Sequence, residues 1–307
     1  MPAVKTFTPR RALGRTGFVA TALGIGDLAD RSVPVDTCVA TVRRALDAGL
    51  NLIDTAPAYE DGYSEEIVGK ALKGRRDGVF LIDKIDNVEE PVAPQIEESL
   101  LRLGLDSTDL FVFHGVSDVE VWSRIAKPGG GMEQLAECVR AGKCRFRGLS
   151  SHHPDVLRAA IASGLCDVVL FAVGPYCDSR YVEEILPLAK ARGVGTVCFK
   201  TFGAGKLVGD TTGYNKPLAP RPRGKFSSRG APHTPVLPHL SVEECVHYTL
   251  TCDPDVALLG LSFPNEQDAA FQAAARFKPL PAERMADIRR RAEIAVRDKG
   301  ACWWNPK

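Results

Sequence analysis

The chain has 307 residues, with 39 Lys plus Arg against 38 Asp plus Glu, so its net charge is +1. That balance supplies no field for nucleic acid or an anionic membrane, and no apolar run reaches the roughly 20 residues of a membrane span. Nine scattered cysteines without a CxxC pair fit free thiols in a reducing cytoplasm, and MPAVKTFTPRRALG carries charges without the apolar core of a secretory signal.

Along the chain, short β-branched runs alternate with longer amphipathic ones. Strands are expected near Val19–Ile25, Asn51–Asp54, Val79–Asp83, Asp109–His114, Phe146–Ser150, Asp167–Val173, Val194–Phe199 and Val256–Gly260. DVVLFAV, LFVF and VALLG are almost wholly apolar, as in strands buried on both faces. Between them, VDTCVATVRRALDAG spaces Val39, Val42, Ala45 and Leu46 on one helical face and stops at Gly49. PQIEESLLRLG is expected to start after Pro94 and stop at Gly104, and GMEQLAECVRAGK, HPDVLRAAIASG and SRYVEEILPLAKARG each end in a glycine suited to a left-handed cap.

Eight such β/α pairs argue for a closed barrel, and no Gly-x-Gly-x-x-Gly marks a strand-to-helix turn, which counts against a Rossmann domain. The segment from Gly203 to Leu240 is rich in Gly, Pro and Arg and too long for an ordinary βα connection. It reads as a functional loop, a lid candidate on the strand-end face, or as disorder. After Leu280 come one more helix, PAERMADIRRRAEIAVRDKG, and the tail CWWNPK.

Three apolar runs close on chemically useful groups. NLIDTAPAY carries Asp54 and Tyr59, VFLIDK ends on Lys84, and DLFVFH ends on His114. On neighbouring parallel strands these would meet at one mouth. Carbonyl reduction needs a proton delivered to oxygen, and a tyrosine with its ordinary pKa near 10 is a weak donor alone. The ammonium of Lys84 would lower that pKa, Asp54 would hold Lys84 charged, and a neutral His114 would donate to the carbonyl oxygen. Alone, each has an ordinary structural reading, as turn former, packing ring, solvated amine or core histidine. Together, at three successive strand ends, they read as an active site.

These landmarks resemble the aldo-keto reductases across nearly the whole chain: LGRTGFVATALGIG, ALDAGLNLIDTAPAYEDGYSEEIVGKAL, ESLLRLGLDSTDLFVFH, GGGMEQLAECVRAGKCRFRGLSSHHPDVL and GLSFPNEQDAAF, in order. The resemblance implies a (β/α)8 TIM barrel over residues 1–307 as a single unit, with an N-terminal hairpin, a long connection after the seventh strand and a C-terminal extra helix. It implies Asp54, Tyr59, Lys84 and His114 as the catalytic tetrad, Tyr59 being acid in reduction and base in oxidation, and no metal.

For the cofactor it implies contacts from Gly24, Gly26, Asp54, Ser150, Ser151, Phe199, Lys200, Phe202, Gly203, Gly260, Ser262 and Gln267. Ser150 and Ser151 would hold the carboxamide and Phe199 would stack on the nicotinamide. Lys200 and the amides from Phe202 to Gly205 would meet the pyrophosphate. Two positions depart from the family pattern: Leu170 replaces a glutamine of the sixth strand, and Glu266 and Gln267 stand near the arginine expected for a 2′-phosphate, with Arg276 able to reach back. NADP(H) is the family default and NAD(H) its competitor.

His152 and His153 read as helix capping rather than metal ligands. Trp122, Trp303 and Trp304 read equally as substrate-pocket walls and as surface packing. The expected function is reduction of aldehydes, ketones or sugars by a cytoplasmic monomer or small homo-oligomer. The alternatives are a slow cofactor-binding regulatory or auxiliary subunit of the same fold and, with less support, a metal-dependent sugar isomerase or lyase.

Overall fold

The structure is a computed structural model that describes residues 7–31, 33–208, 219–220, 226–227, 238–260 and 264–306. Eight parallel strands close into a barrel: β3 (Leu23–Ile25), β4 (Leu52–Asp54), β5 (Phe80–Ile85), β6 (Leu110–Phe113), β7 (Phe146–Ser150), β8 (Val168–Ala172), β9 (Gly195–Phe199) and β12 (Val256–Leu259), with β12 pairing both β9 and β3. Around them run α1 (Val35–Asp47), α2 (Tyr63–Leu72), α3 (Val92–Leu103), α4 (Val119–Ala126), α5 (Gly131–Arg140), α6 (Pro154–Ser163), α7 (Leu186–Ala191), α8 (Val242–Thr251), α9 (Pro264–Ala275) and α10 (Ala282–Ala295). The expected (β/α)8 barrel and its extra C-terminal helix are present.

The single strand expected over Val19–Ile25 is two elements. β2 (Val19–Thr21) pairs antiparallel with β1 (Arg10–Ala12), and the chain turns into the barrel only at Leu23. This hairpin closes the N-terminal end of the barrel: Leu13 and Ala20 join the interior layer of Leu52, Phe80, Ile82, Leu110, Val168 and Val256, and Phe18 packs on Phe80 at 5.1 Å between ring centroids. Between β9 and α8, described only in part, β10 (Ala219–Pro220) pairs antiparallel with β11 (Phe226–Ser227).

Two helices differ from their sequence reading through proline. α3 starts at Val92, before Pro94, because an N–H missing in the first turn has no intrahelical partner to lose. The run SRYVEEILPLAKARG begins as a π-helical turn, Tyr181–Ile185, before α7. Pro187 cannot donate to the carbonyl four residues back, and the wider turn accommodates the missing bond.

Side chains alternate across a strand, so Leu52 and Asp54, then Phe80, Ile82 and Lys84, then Leu110, Val112 and His114, share the inward side. Register aligns them, with Asp54 opposite Ile82 and Lys84 opposite Val112. The apolar members fill the interior and the polar ones emerge at the C-terminal mouth.

Candidate active site

Lys84 and Asp54 form the floor of the mouth. The Lys84 ammonium donates to both Asp54 carboxylate oxygens at 2.7 Å and to the Thr55 carbonyl at 2.6 Å, with side chains only 2% and 4% exposed. Burial acts to discharge Lys84, but Asp54 and Tyr59 outweigh it and raise its pKa, so it stays charged. Its Nζ lies 4.4 Å from the centre of the Tyr59 ring, and both Asp54 and Lys84 reach the phenol by hydrogen bonding.

The expected lowering of the Tyr59 pKa does not occur. Burial is the largest influence and, aided by the negative charge of Asp54, pushes the phenol up to about 12 against the pull of Lys84. The pull of Lys84 is larger than the opposing push of Asp54, but removal of the phenol from water outweighs both.

The loop after β4 places Tyr59. Glu60, Asp61 and Gly62 have successive φ values of 52°, 53° and 80°, a left-handed turn strained for the two non-glycine residues. Arg31 clasps that turn by donating to the Glu60 carbonyl at 2.6 and 3.1 Å. His114 stands edge-on to Tyr59, ring centroids 5.6 Å apart. Its Nδ1 is hydrogen-bonded to Asp86, whose other oxygen accepts from the Ala58 amide at 2.6 Å. Asp86 was not singled out from the sequence, although it follows Lys84 by two residues and so emerges on the same side of β5.

Around the rim, Ser150 and Ser151 are buried at the end of β7. Ser150 Oγ accepts from the Gly115 amide at 3.2 Å, and Ser151 Oγ accepts from the His153 amide at 3.0 Å. His153 caps α6, its Nδ1 accepting from the Asp155 amide, as the sequence implied. His152 packs on Phe199 at 5.1 Å with a buried Nδ1 lacking a partner among the described residues, and burial with nearby Lys200 lowers its pKa to about 4. The Lys200 ammonium faces three rings, Phe199, Trp303 and Trp304, at 5.5, 5.0 and 5.7 Å, and burial lowers its pKa to about 8. A largely buried ammonium held by π faces, with no carboxylate on it among the described residues, suits an incoming phosphate. Gly26 and Gly260 sit where an added Cβ would come no closer than 3.5 and 3.6 Å to any atom, leaving open backbone at the rim.

The family model described as Aldo/keto reductase family matches residues 21–290. The chain belongs to the aldo-keto reductase family. It is similar to L-galactose dehydrogenase of Arabidopsis thaliana, 32% identical over 214 residues, which is 64% of this chain and 66% of that protein. The NADH-specific methylglyoxal reductase of Escherichia coli K12 is 28% identical over 222 residues, 65% of this chain and 67% of that one. Matching therefore spans about two thirds of these relatives' lengths. In fold, the chain resembles an aldo-keto reductase from Klebsiella pneumoniae in complex with NADPH, with a TM-score of 0.68, 20% identity and coverage of 92% of this chain and 95% of that one.

Several residues carried over from the family pattern have other work here. Gly24 lies inside the barrel: a Cβ there would meet the side chains of Leu52 at 2.8 Å and Leu258 and Val256 at 3.0 Å, so interior packing favours a small residue. The Gly203 and Gly205 amides already donate to the Lys200 and Phe202 carbonyls, at 2.8 and 2.9 Å, so they close the turn rather than face a phosphate. Phe202 packs against the outer core. Gln267 is fully buried, donates to the Thr41 carbonyl at 2.8 Å and accepts from Arg44 at 3.0 Å, fastening α9 to α1. Ser262 lies outside the described residues. Leu170 belongs to the apolar barrel interior. Trp122 is buried on α4 with Ile125 and Met132. Among the described residues, no group of three His, Cys, Asp or Glu could hold a metal ion, all nine cysteines are free, and no helix is long and apolar enough to cross a membrane.

Proposed function

We propose that this chain is an NAD(P)H-dependent oxidoreductase that interconverts aldehydes or ketones, sugars included, with alcohols, using Tyr59 as general acid and base. The observation carrying this reading is the dehydrated Lys84–Asp54 pair beneath the phenol at the strand-end mouth. A nicotinamide bound there would supply or accept the hydride. Gly26, Ser150, Ser151 and Phe199 would hold its ring end, Lys200 its pyrophosphate and Gly260 its adenosine end. Tyr59, neutral at physiological pH, donates to the substrate oxygen. As charge grows on that oxygen the phenolic proton crosses, and the fixed Lys84 ammonium stabilises the phenolate left behind.

NADP(H) is the cofactor we infer, as in the Klebsiella pneumoniae complex. Burial of Gln267 on α1 favours NAD(H) as a second reading, since it leaves that side chain no part in holding a 2′-phosphate. Titrating protein fluorescence with NADPH and NADH separates the two.

Purified protein with each nucleotide and a panel of aldehydes, ketones and sugars is expected to oxidise NAD(P)H. Tyr59→Phe is expected to retain nucleotide binding and lose turnover by about 10²-fold or more. Equal rates for wild type and Tyr59→Phe would overturn the assignment of the phenol. Tight nucleotide binding without turnover on any carbonyl would favour an auxiliary subunit.

A further inference from the structure

Asp86 changes what His114 can do. Its carboxylate engages His114 Nδ1, while its second oxygen is fixed by the Ala58 amide, one residue before Tyr59. Burial pushes the Asp86 carboxyl up, but the hydrogen bond and charge of His114, with the Ala58 amide, outweigh it and hold the group below the ordinary carboxylate range. Asp86 is therefore an acceptor, and its partner nitrogen must carry a hydrogen. A neutral imidazole has only one N–H. With that hydrogen on Nδ1, Nε2 presents a lone pair. Among the described residues nothing hydrogen-bonds Nε2, and the ring stands edge-on to Tyr59 at 5.6 Å. A neutral His114 therefore cannot donate from Nε2 to a carbonyl oxygen, contrary to the role the sequence suggested.

We propose that Asp86 is a positioning residue that fixes the tautomer of His114, so that Nε2 accepts from an alcohol O–H when the ring is neutral and donates to a carbonyl oxygen only when it is an imidazolium. The inference rests on the functional reading above and deepens it: the two directions of the reaction are served by two charge states of one side chain. The charged and titratable groups around His114 are Asp86 and Lys84 from β5, Asp54 from β4, Tyr59 from the following loop and His152 after β7, with Lys200 beyond it. Lys84 and Asp54 neutralise one another at 2.7 Å, which leaves the Asp86 carboxylate as the charge with most influence on the imidazole. An exposed carboxylate would be screened; this one is half-buried and directly bonded.

The test uses full-length protein labelled with 15N-histidine, with the His114 ring signals assigned by their loss in His114→Gln. In wild type the neutral ring is expected to show its hydrogen on Nδ1. Asp86→Asn, which is isosteric and can still accept from the Ala58 amide, turns an N–H donor toward His114 Nδ1 and is expected to move the neutral ring's hydrogen to Nε2. Asp86→Glu, a carboxylate again, is expected to return most of the hydrogen to Nδ1. A wild-type hydrogen on Nε2, or a hydrogen still on Nδ1 in Asp86→Asn, would overturn the proposal. If no carbonyl is turned over, the oxidoreductase reading fails while the tautomer measurements still judge the Asp86–His114 pair.

Discussion

Lys84 is the residue on which the site's electrostatics turn. Its ammonium has both Asp54 oxygens and the Thr55 carbonyl within 2.7 Å, so removing the charge leaves Asp54 buried and unmatched. Lys84→Met is expected to destabilise the fold by about 3–5 kcal/mol and to lower kcat by about 10²-fold or more. The double variant Asp54→Asn/Lys84→Met removes both charges. It should recover much of the denaturation midpoint and none of the turnover, because the phenolate formed during reaction would still lack its cation. Recovery of turnover would show that the ammonium serves folding alone. Asp54, Lys84 and His114 were legible in the sequence because each closes an apolar run, and alternation along parallel strands brings such endings together, with Tyr59 in the loop just beyond. Asp86 was not legible in that way. Its partner is a histidine 28 positions away, and only the β5–β6 register shows that the two meet. Gln267 misled for the converse reason: its place in the family pattern gave no sign that α1 would claim its side chain.

At the scale of elements, the outward side of β5 carries a second acidic pair. Asp83 and Glu65, from β5 and α2, are both fully buried. Arg102 from α3 donates to both Glu65 carboxylate oxygens. Asp83 Oδ1 accepts from the Lys84 amide at 2.8 Å, while Oδ2 lacks a good hydrogen bond. Burial and the neighbouring Glu65 raise the Asp83 pKa well above the ordinary value. A raised folded-state pKa means that the native protein binds this proton more tightly than the unfolded chain does. The associated stability is present below about pH 4 and is lost as pH rises through the folded pKa. Asp83→Asn keeps the acceptor for the Lys84 amide and removes the ionisation. It is expected to match wild type near pH 4 and to exceed it at pH 8 by about 1 kcal/mol, measured by urea denaturation at both values. A gain independent of pH would refute the linkage. Periodicity revealed the strands and most helices, but their ends followed local backbone chemistry. Pro94 admitted an earlier start to α3, Pro187 forced a π turn ahead of α7, and the run Val19–Ile25 broke where the hairpin ends and the barrel begins.

At the scale of the whole molecule, the tail after α10 returns to the strand ends and seals one side of the mouth. Trp304 is fully buried: its Nε1 donates to the Tyr176 carbonyl at 2.9 Å, and its own carbonyl accepts from the Tyr181 hydroxyl at 3.2 Å. Asn305 Oδ1 accepts from the Asp178 amide at 2.9 Å. The tail thereby covers Lys200, which sits at φ 73° with its ammonium against Trp303 and Trp304. Distant parts of the chain thus set one local property, an amine whose pKa burial brings to about 8. If Lys200 holds the pyrophosphate, nucleotide affinity must weaken as pH rises from 7 to 9, because the ammonium is lost across that window. Trp304→Ala should cost about 3–5 kcal/mol of stability and let water reach the amine. Its pKa would then move back toward the ordinary lysine value, and the weakening would begin at higher pH than in wild type. Isothermal titration with NADPH or NADH at pH 7, 8 and 9, on both proteins, measures this. A flat wild-type profile would separate Lys200 from the nucleotide, and identical profiles for both proteins would show that the tail does not govern the charge on that amine.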